Sequence, residues 1–175
     1  VLIVLNGVFA MSEISLVTSR RARLQRLIDD KVAGAERARE LNADPNRALS
    51  TIQVGITSIG ILSGIVGESA LARPMEAFLV MVGLSPETAK AIGLFVVVVL
   101  ITYFSIVMGE LVPKRIGQIS PERIACRLAP PIHCLSIIAA PFVKLLSAST
   151  HLLLKRLGIS ETQGSSVTEE EIHAM

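Results

Sequence analysis

Long uncharged runs alternate with charged segments along the chain. Residues 48–67 form an uncharged run of 20 residues, and residues 91–109 form one of 19. Residues 1–19 are apolar except for a few polar positions, of which one is charged. A helix needs about 20 mostly apolar residues to cross the roughly 30 Å hydrocarbon core of a bilayer. The pattern therefore predicts three membrane-spanning helices, at about residues 1–19, 48–68 and 91–110.

The basic residues between these runs predict how the chain crosses the membrane. Segment 20–47 carries eight Lys and Arg, segment 68–90 carries two, and segment 110–127 carries four. Cytoplasmic loops collect Lys and Arg. We therefore expect 20–47 and 110–127 inside and the connecting loop 68–90 outside, which places the N-terminus outside.

The first charged segment has the pattern of a helical hairpin. Its apolar positions recur at helical spacing, Gly34 interrupts them, and Asp44-Pro45 ends them. Its eight basic residues are mixed with five acidic ones and no aromatics, which does not favour nucleic-acid binding. The pattern predicts two short amphipathic helices in the cytoplasm.

The fourth apolar stretch, residues 128–155, is poorly suited to crossing a membrane. Only 16 uncharged residues separate Arg127 from Lys144, and three of them are prolines. Backbone groups freed by proline need partners other than lipid. We interpret the stretch as a juxtamembrane belt or re-entrant helix along the inner leaflet, with a fourth true span as the alternative. Residues 1–157 would then form the membrane domain.

Composition supports an all-α membrane protein. Hydrophobic residues make up 51% of the chain, aromatics only 3%, and tryptophan is absent, so Leu, Ile, Val and Ala supply the apolar mass. Cys126 and Cys134 lack the spacing of a metal site. Ser63 and His133 lack the motif of a nucleophilic or metal-dependent enzyme. The sequence does not predict an enzyme.

The most specific motif is "GELVPKR", residues 109–115, at the inner end of the third run. Pro113 cannot continue the helical hydrogen-bond ladder, so it should break the helix and free carbonyls near Gly109. Those carbonyls and the Glu110 carboxylate would make an oxygen-rich pocket of the kind that hard cations prefer. The alternative is that Glu110 simply pairs with Lys114 four residues later. The residues alone leave both readings open.

Polar side chains in the first two spans are further candidates. Ser12 and Ser15 share a helix face, and Glu13 is ionisable at membrane depth. The serines could instead bond their own helix or serve as small residues in helix packing, and Glu13 could pair with Arg20. In the second span, Gln53, Thr57 and Ser58 could face a cation or a neighbouring helix. Four small residues predict close helix packing, within one chain or across a dimer: Gly60, Ser63, Gly64 and Gly67.

Three stretches resemble one family of membrane proteins. "GELVPKRIGQISPERIA" and "NGVFAMSEISLVTSRRARL" resemble signatures of the cyclin M/CorC magnesium transporters, which are related to hemolysin C. "VTEEEIHAM" resembles the acidic helix that leads into that family's CBS domains, which the present residues lack. The resemblance implies that 158–175 is a linker and the start of that helix. It also implies a homodimer with three spans per subunit, and nucleotide binding only through CBS domains.

The resemblance also implies a magnesium site. Its ligands would be Ser12, Gly109 and Glu110, with Glu13 lining an inward-facing cavity, and the bound substrate ion would be Mg²⁺. Ile56 stands where many members have an asparagine. Either Thr57 or Ser58 would take that ligand's place, or water would fill the gap, or the ion preference would differ from that of the family. Ser15, Gly55, Pro113 and Lys114 would line the cavity.

The function that the resemblance implies is export of Mg²⁺ from the cytoplasm, with Na⁺ as a coupling ion, by a multi-pass protein of the cell membrane. The alternative is a regulatory membrane scaffold, which would dimerise and modulate other ion transporters. The small-residue face of the second span serves that alternative equally well.

Overall fold

The computed structural model describes residues 1–157, and within that range every regular element is helical. The acidic helix expected within 158–175 lies outside the described residues. The helices, numbered in chain order, are α1 (Leu2–Thr18), α2 (Arg21–Asp29), α3 (Ala35–Ala43), α4 (Pro45–Met81), α5 (Pro86–Ile106), α6 (Val112–Ile119) and α7 (Pro121–Arg156). A π-helical turn, Val107–Leu111, joins α5 to α6.

The all-helical membrane prediction is confirmed, but the helices are longer than the predicted spans. Three stretches are long and apolar enough to cross a membrane: Ala48–Met81, Pro86–Ile119 and Pro121–Arg156, of 34, 34 and 36 residues. At about 1.5 Å per residue each exceeds the roughly 30 Å of the hydrocarbon core. These three include α7 but not α1. Helix α1 is long and apolar enough only when it is counted together with α2, from which it is separated by a bend of 100°. The belt position of α7 stays a prediction.

The prediction of a loop over 68–90 is wrong for most of that range. Helix α4 continues to Met81 with Pro74 inside it, and α5 already begins at Pro86. The true stop is Gly83, at φ +103°. The true start is Ser85, whose hydroxyl accepts a hydrogen bond from the Thr88 N–H with Pro86 at the first helical position.

The chain forms two compact units, of which the first, Val1–Ala140, contains the core. The second begins at Pro141, and its described part is the C-terminal half of α7. In the first unit, one hydrophobic cluster is enclosed by α1, α2, α3, α4 and the beginning of α7, with Leu24 and Ile52 fully buried. Burying this apolar surface holds the short, otherwise marginal helices in place.

The predicted helical hairpin is present as α2 and α3, and it packs on the start of α7. Gly34 has φ +81°, and a Cβ atom there would overlap the backbone carbonyl of Cys126. Glu122, buried in the first turn of α7, accepts a hydrogen bond from the Arg20 N–H and lies 3.7 Å from the Arg23 guanidinium. The Asn42 amide donates to the Leu16 carbonyl of α1. These contacts tie the hairpin to both α1 and α7.

Candidate functional site

The helix does not break at Pro113, contrary to the sequence-based expectation. The π-helical turn Val107–Leu111 precedes the proline, the Val112 N–H donates to the Val107 carbonyl, and α6 then continues the run. A π turn adds one residue to the ring closed by each hydrogen bond, which leaves room for the pyrrolidine ring without ending the helix. Such turns occur often at functional sites.

Asn6 compensates for the N–H that Pro113 lacks. In an α-helix the Gly109 carbonyl would accept from residue 113, but here the Asn6 Nδ2 donates to it at 3.1 Å. That acceptor fixes the orientation of the amide, because a carbonyl oxygen cannot face Oδ1. Asn6 Oδ1 is buried and accepts no hydrogen bond within the described residues. One acceptor oxygen therefore lies beside the π turn with its bonding capacity unused.

Glycine and proline bring α1 unusually close to the π turn and α6. A Cβ atom on Gly7 would lie 2.9 Å from Pro113 Cγ, and one on Gly109 would lie 3.1 Å from Asn6 Nδ2. At Gly117 a Cβ atom would overlap the Ile14 side chain and lie 3.0 Å from the Met11 carbonyl. We call this contact the α1–α6 seam: Gly7, Gly109, Pro113 and Gly117. Small residues at a helix interface permit such an approach.

The seam carries a cluster of three charges. The Lys114 ammonium lies 3.1 Å from Glu110 Oε1 and 3.2 Å from Glu13 Oε2, so it bridges carboxylates on two different elements. Side-chain exposures of 34% for Lys114, 27% for Glu13 and 39% for Glu110 leave all three partly open to solvent. The partner of Glu13 is thus Lys114 and not Arg20, the alternative considered from the sequence.

The predicted serine ligands are buried and bonded to their own helix. The Ser12 hydroxyl donates to the Val8 carbonyl at 2.8 Å, and the Ser15 hydroxyl donates to the Ser12 carbonyl at 3.1 Å. Both hydroxyl oxygens keep lone pairs with which they could accept a bond or meet a cation. In contrast, Thr57 and Ser58 are exposed on α4, as is Gln53.

The glycines of α4 fall into two groups. Gly55, a predicted cavity residue, lies against the Phe9 ring of α1, and Gly67 lies against Ile101 of α5. Gly60 and Gly64 are exposed, and Cβ atoms there would meet no atom of the described part of the chain within 4 Å. Ser63, which lies between them in the sequence, is partly buried. Among residues 1–157 of one chain, the G-x-x-x-G pair therefore does not mediate helix packing.

The site offers oxygen ligands on α1 and the π turn, arranged around a cation that the protein itself supplies. Residues 1–157 contain no group of three or more His, Cys, Asp or Glu side chains placed to hold a metal. The oxygens that contact the Lys114 ammonium are those of two carboxylates, and the Asn6 amide and the Gly109 carbonyl contact each other at the same π turn. Carboxylate, amide and carbonyl oxygens are ligands that suit a hard cation. Sequence reasoning missed Asn6, although a single amide within an apolar run is a signal that a polar partner exists in the membrane.

Replacing Asn6 with leucine should destabilise the π turn. The change keeps the number and branching of the side-chain heavy atoms but removes the Nδ2 group that donates to the Gly109 carbonyl. An unpaired buried carbonyl costs about 1–3 kcal/mol of the free energy of unfolding. Thermal unfolding in detergent, followed by circular dichroism, measures this loss. Leucine in place of exposed Gln53 is the control, and equal stability of the two variants would contradict the role of Asn6.

The fold and the site together define a class of protein. It is an all-helical membrane domain with two carboxylates and a π turn at the place where its first and third apolar runs meet. The chain belongs to the family of the cyclin M transmembrane N-terminal domain, whose model matches residues 1–175. The family assignment from sequence motifs is thereby confirmed.

Relatives with this domain occur in several bacteria. The chain is 44% identical over 175 residues to the UPF0053 protein sll0260 of Synechocystis sp., covering 100% of this chain and 39% of that protein. It is 34% identical over 173 residues to the UPF0053 protein YhdT of Bacillus subtilis, covering 97% and 38%. It is 29% identical over 174 residues to the polyamine export protein of Escherichia coli, covering 99% and 39%. The chain thus spans about two-fifths of the length of these relatives.

Proposed function

We propose that the protein transports a divalent cation, Mg²⁺, out of the cytoplasm, with Na⁺ entry as the coupled movement. The observation that carries the proposal is the cluster of Glu13 and Glu110 around one cation at the α1–α6 seam. Ionisable groups within membrane helices are costly, so they are retained mainly where they serve an ion pathway. Membership of a membrane-transport family supports this reading.

The proposed ligands are the Glu110 and Glu13 carboxylates, the Gly109 carbonyl and the Ser12 hydroxyl. Mg²⁺ gives up its hydration water reluctantly and demands near-octahedral geometry. A partly open, partly solvated cluster therefore suits it better than a dry cage. Thr57 or Ser58, exposed on α4, would join only if that helix moved toward the seam, as alternating access between the two sides of the membrane would require.

The proposed setting is a homodimer in the cell membrane with the N-terminus outside. The basic hairpin α2–α3 would then lie in the cytoplasm, in agreement with the positive-inside rule. The open glycine face at Gly60 and Gly64 is the part of α4 on which a second copy would pack.

Glu110→Gln tests the proposal. In the unmodified chain, Mg²⁺ should raise the melting temperature, because a ligand at about 100 times its Kd adds about 2.7 kcal/mol to the folded state. Removing the Glu110 charge should abolish that rise. Glu87→Gln, at an exposed acid in the first turn of α5, is the matched control and should keep it. An undiminished rise in Glu110→Gln would place the cation elsewhere.

Organic polycations are a second candidate cargo, and one feature of the site favours them. The Lys114 side chain is a primary alkylammonium, and it already fits between the two carboxylates. The Escherichia coli relative is named a polyamine export protein. Flux of Mg²⁺ and of putrescine, measured separately in proteoliposomes containing only this chain, distinguishes the cargoes. Flux of neither, from protein that remains folded, would favour the regulatory scaffold.

A further inference from the structure

We propose that Lys114 is a built-in counter-cation that competes with the transported ion for Glu13 and Glu110. This inference rests on the proposed function, because it describes how the same site is occupied when no substrate ion is bound. It goes beyond an ion pair between neighbours on one helix, since the ammonium takes one oxygen from each of two elements far apart in sequence.

The geometry makes the two occupancies mutually exclusive. One ammonium contacts Glu110 Oε1 at 3.1 Å and Glu13 Oε2 at 3.2 Å. The two carboxylates are therefore near enough for a single cation to bind both. A hard cation held between the same carboxylates would bind at least one oxygen of each, and at that short distance it would repel the ammonium. Substrate binding therefore requires Lys114 to leave.

Lys114 has the freedom to leave. Its side chain is a flexible chain of four methylenes with a compact charge at the end, and about a third of it is exposed. Pro113 beside it is buried in the seam, so the backbone can stay in place while the side chain swings. An arginine would be a poorer mobile ion, because its planar guanidinium tends to hold carboxylates with two parallel hydrogen bonds.

Charge balance gives the exchange a direction. Two carboxylates and one ammonium carry a net charge of minus one, and a divalent ion in place of the ammonium makes the cluster neutral. A monovalent ion gains nothing over the lysine that it displaces. Lys114 therefore favours divalent over monovalent substrates, and its return to the carboxylates helps to expel the substrate ion after transport.

Substitution of the competitor tests the inference. Lys114→Met keeps most of the side-chain length but not the charge, and Arg115→Met makes the same charge change at the exposed neighbouring residue. We expect Mn²⁺, titrated by electron paramagnetic resonance, to bind Lys114→Met at least about 10-fold more tightly than the unmodified chain, as is typical of close charge pairs. Arg115→Met should bind as the unmodified chain does. Unchanged or weaker binding by folded Lys114→Met would overturn the inference.

A second measurement needs no variant of Lys114. Amine-reactive labelling of the unmodified chain, quantified at each lysine by mass spectrometry, should increase severalfold at Lys114 when Mg²⁺ is added. Lys90, exposed in the first part of α5, is the internal control and should not change. Labelling of Lys114 that stays constant or falls while Mg²⁺ is bound would overturn the inference, even if Lys114→Met did not fold.

The two proposals fail in distinguishable ways. If Mg²⁺ stabilises the unmodified chain and Glu110→Gln equally, the proposed site itself is wrong. If Mg²⁺ stabilises only the unmodified chain, but the Lys114 measurements show no competition, the proposed cation site is retained. Lys114 would then only link α1 to α6 through its ion pairs.

Discussion

Gly117→Leu is expected to abolish the packing of α1 against α6 and, with it, the cation site. Even a Cβ atom at residue 117 would overlap the Ile14 side chain and lie 3.0 Å from the Met11 carbonyl, so a leucine has no room unless α1 moves away. Backbone atoms yield far less readily than side-chain ends. We expect a loss of more than about 4 kcal/mol of the free energy of unfolding, in the range reserved for severe structural damage.

The same displacement should separate Glu13 from Lys114, because these residues lie on the two helices that the seam joins. The measurements are thermal unfolding by circular dichroism and the Mg²⁺-dependent rise in melting temperature, which should disappear. Gln118→Leu, at the exposed next residue of α6, is the matched control and should change stability by no more than about 0.5 kcal/mol. Gly117→Ala should fall between them, since the Ile14 methyl can yield. A fully stable Gly117→Leu would show that α1 and α6 do not depend on the close approach.

The helix contact at the seam could not be predicted from the conventional small-residue packing motif. The G-x-x-x-G pair at Gly60 and Gly64 is the conventional signal, but it faces open space within the chain. The contact that the chain does use combines Gly109, Pro113 and Gly117 at four-residue spacing, with proline in the central position. A pattern search reads that proline as a helix break. The π turn reverses this reading, because it lets the helix pass the proline and keeps all three residues on one face.

The chemistry of the site was only half visible in the sequence. Glu110 and Lys114 are four residues apart, so their pairing could be foreseen from helix geometry. The convergence of Glu13 does not follow from helix geometry, because it depends on a tertiary contact between residues about a hundred positions apart. Only the family resemblance implied that Glu13, Glu110 and Lys114 belong to one cavity. The two readings of Glu110, lysine partner or cation ligand, need not exclude each other: the lysine pair is the resting occupancy that a substrate ion would replace.

Helix boundaries were predicted well where backbone chemistry is strict. The hairpin was expected to turn near Gly34 and to end at Asp44-Pro45, and α2, α3 and the start of α4 follow those limits. The failure at 68–90 came from treating charged residues and Pro74 as a loop. Polar side chains do not end a helix that continues beyond the membrane, since water can solvate them there.

Gly34→Val should detach the helical hairpin from α7. Residue 34 has φ +81°, where a β-branched side chain is strained by about 1–2 kcal/mol. Its Cβ atom would in addition overlap the backbone carbonyl of Cys126. That carbonyl belongs to a long helix, so moving it aside would cost free energy. We expect the combined loss in free energy of unfolding to reach about 3 kcal/mol or more. Thermal unfolding measures the loss, and faster hydrogen exchange in α2 and α3 would locate it.

Gly83→Val separates strain from overlap. Residue 83 has φ +103°, but a Cβ atom there would meet none of the residues that the structure describes within 4 Å, so we expect the variant to suffer the backbone strain alone. The difference between the two variants therefore measures the contact between the hairpin and α7. If both lose the same stability, the carbonyl of Cys126 has moved aside without cost, and the hairpin is held only by its other contacts, such as the buried Glu122 that accepts from the Arg20 N–H. If Gly34→Val loses clearly more, the glycine is required because α7 passes too close for any side chain.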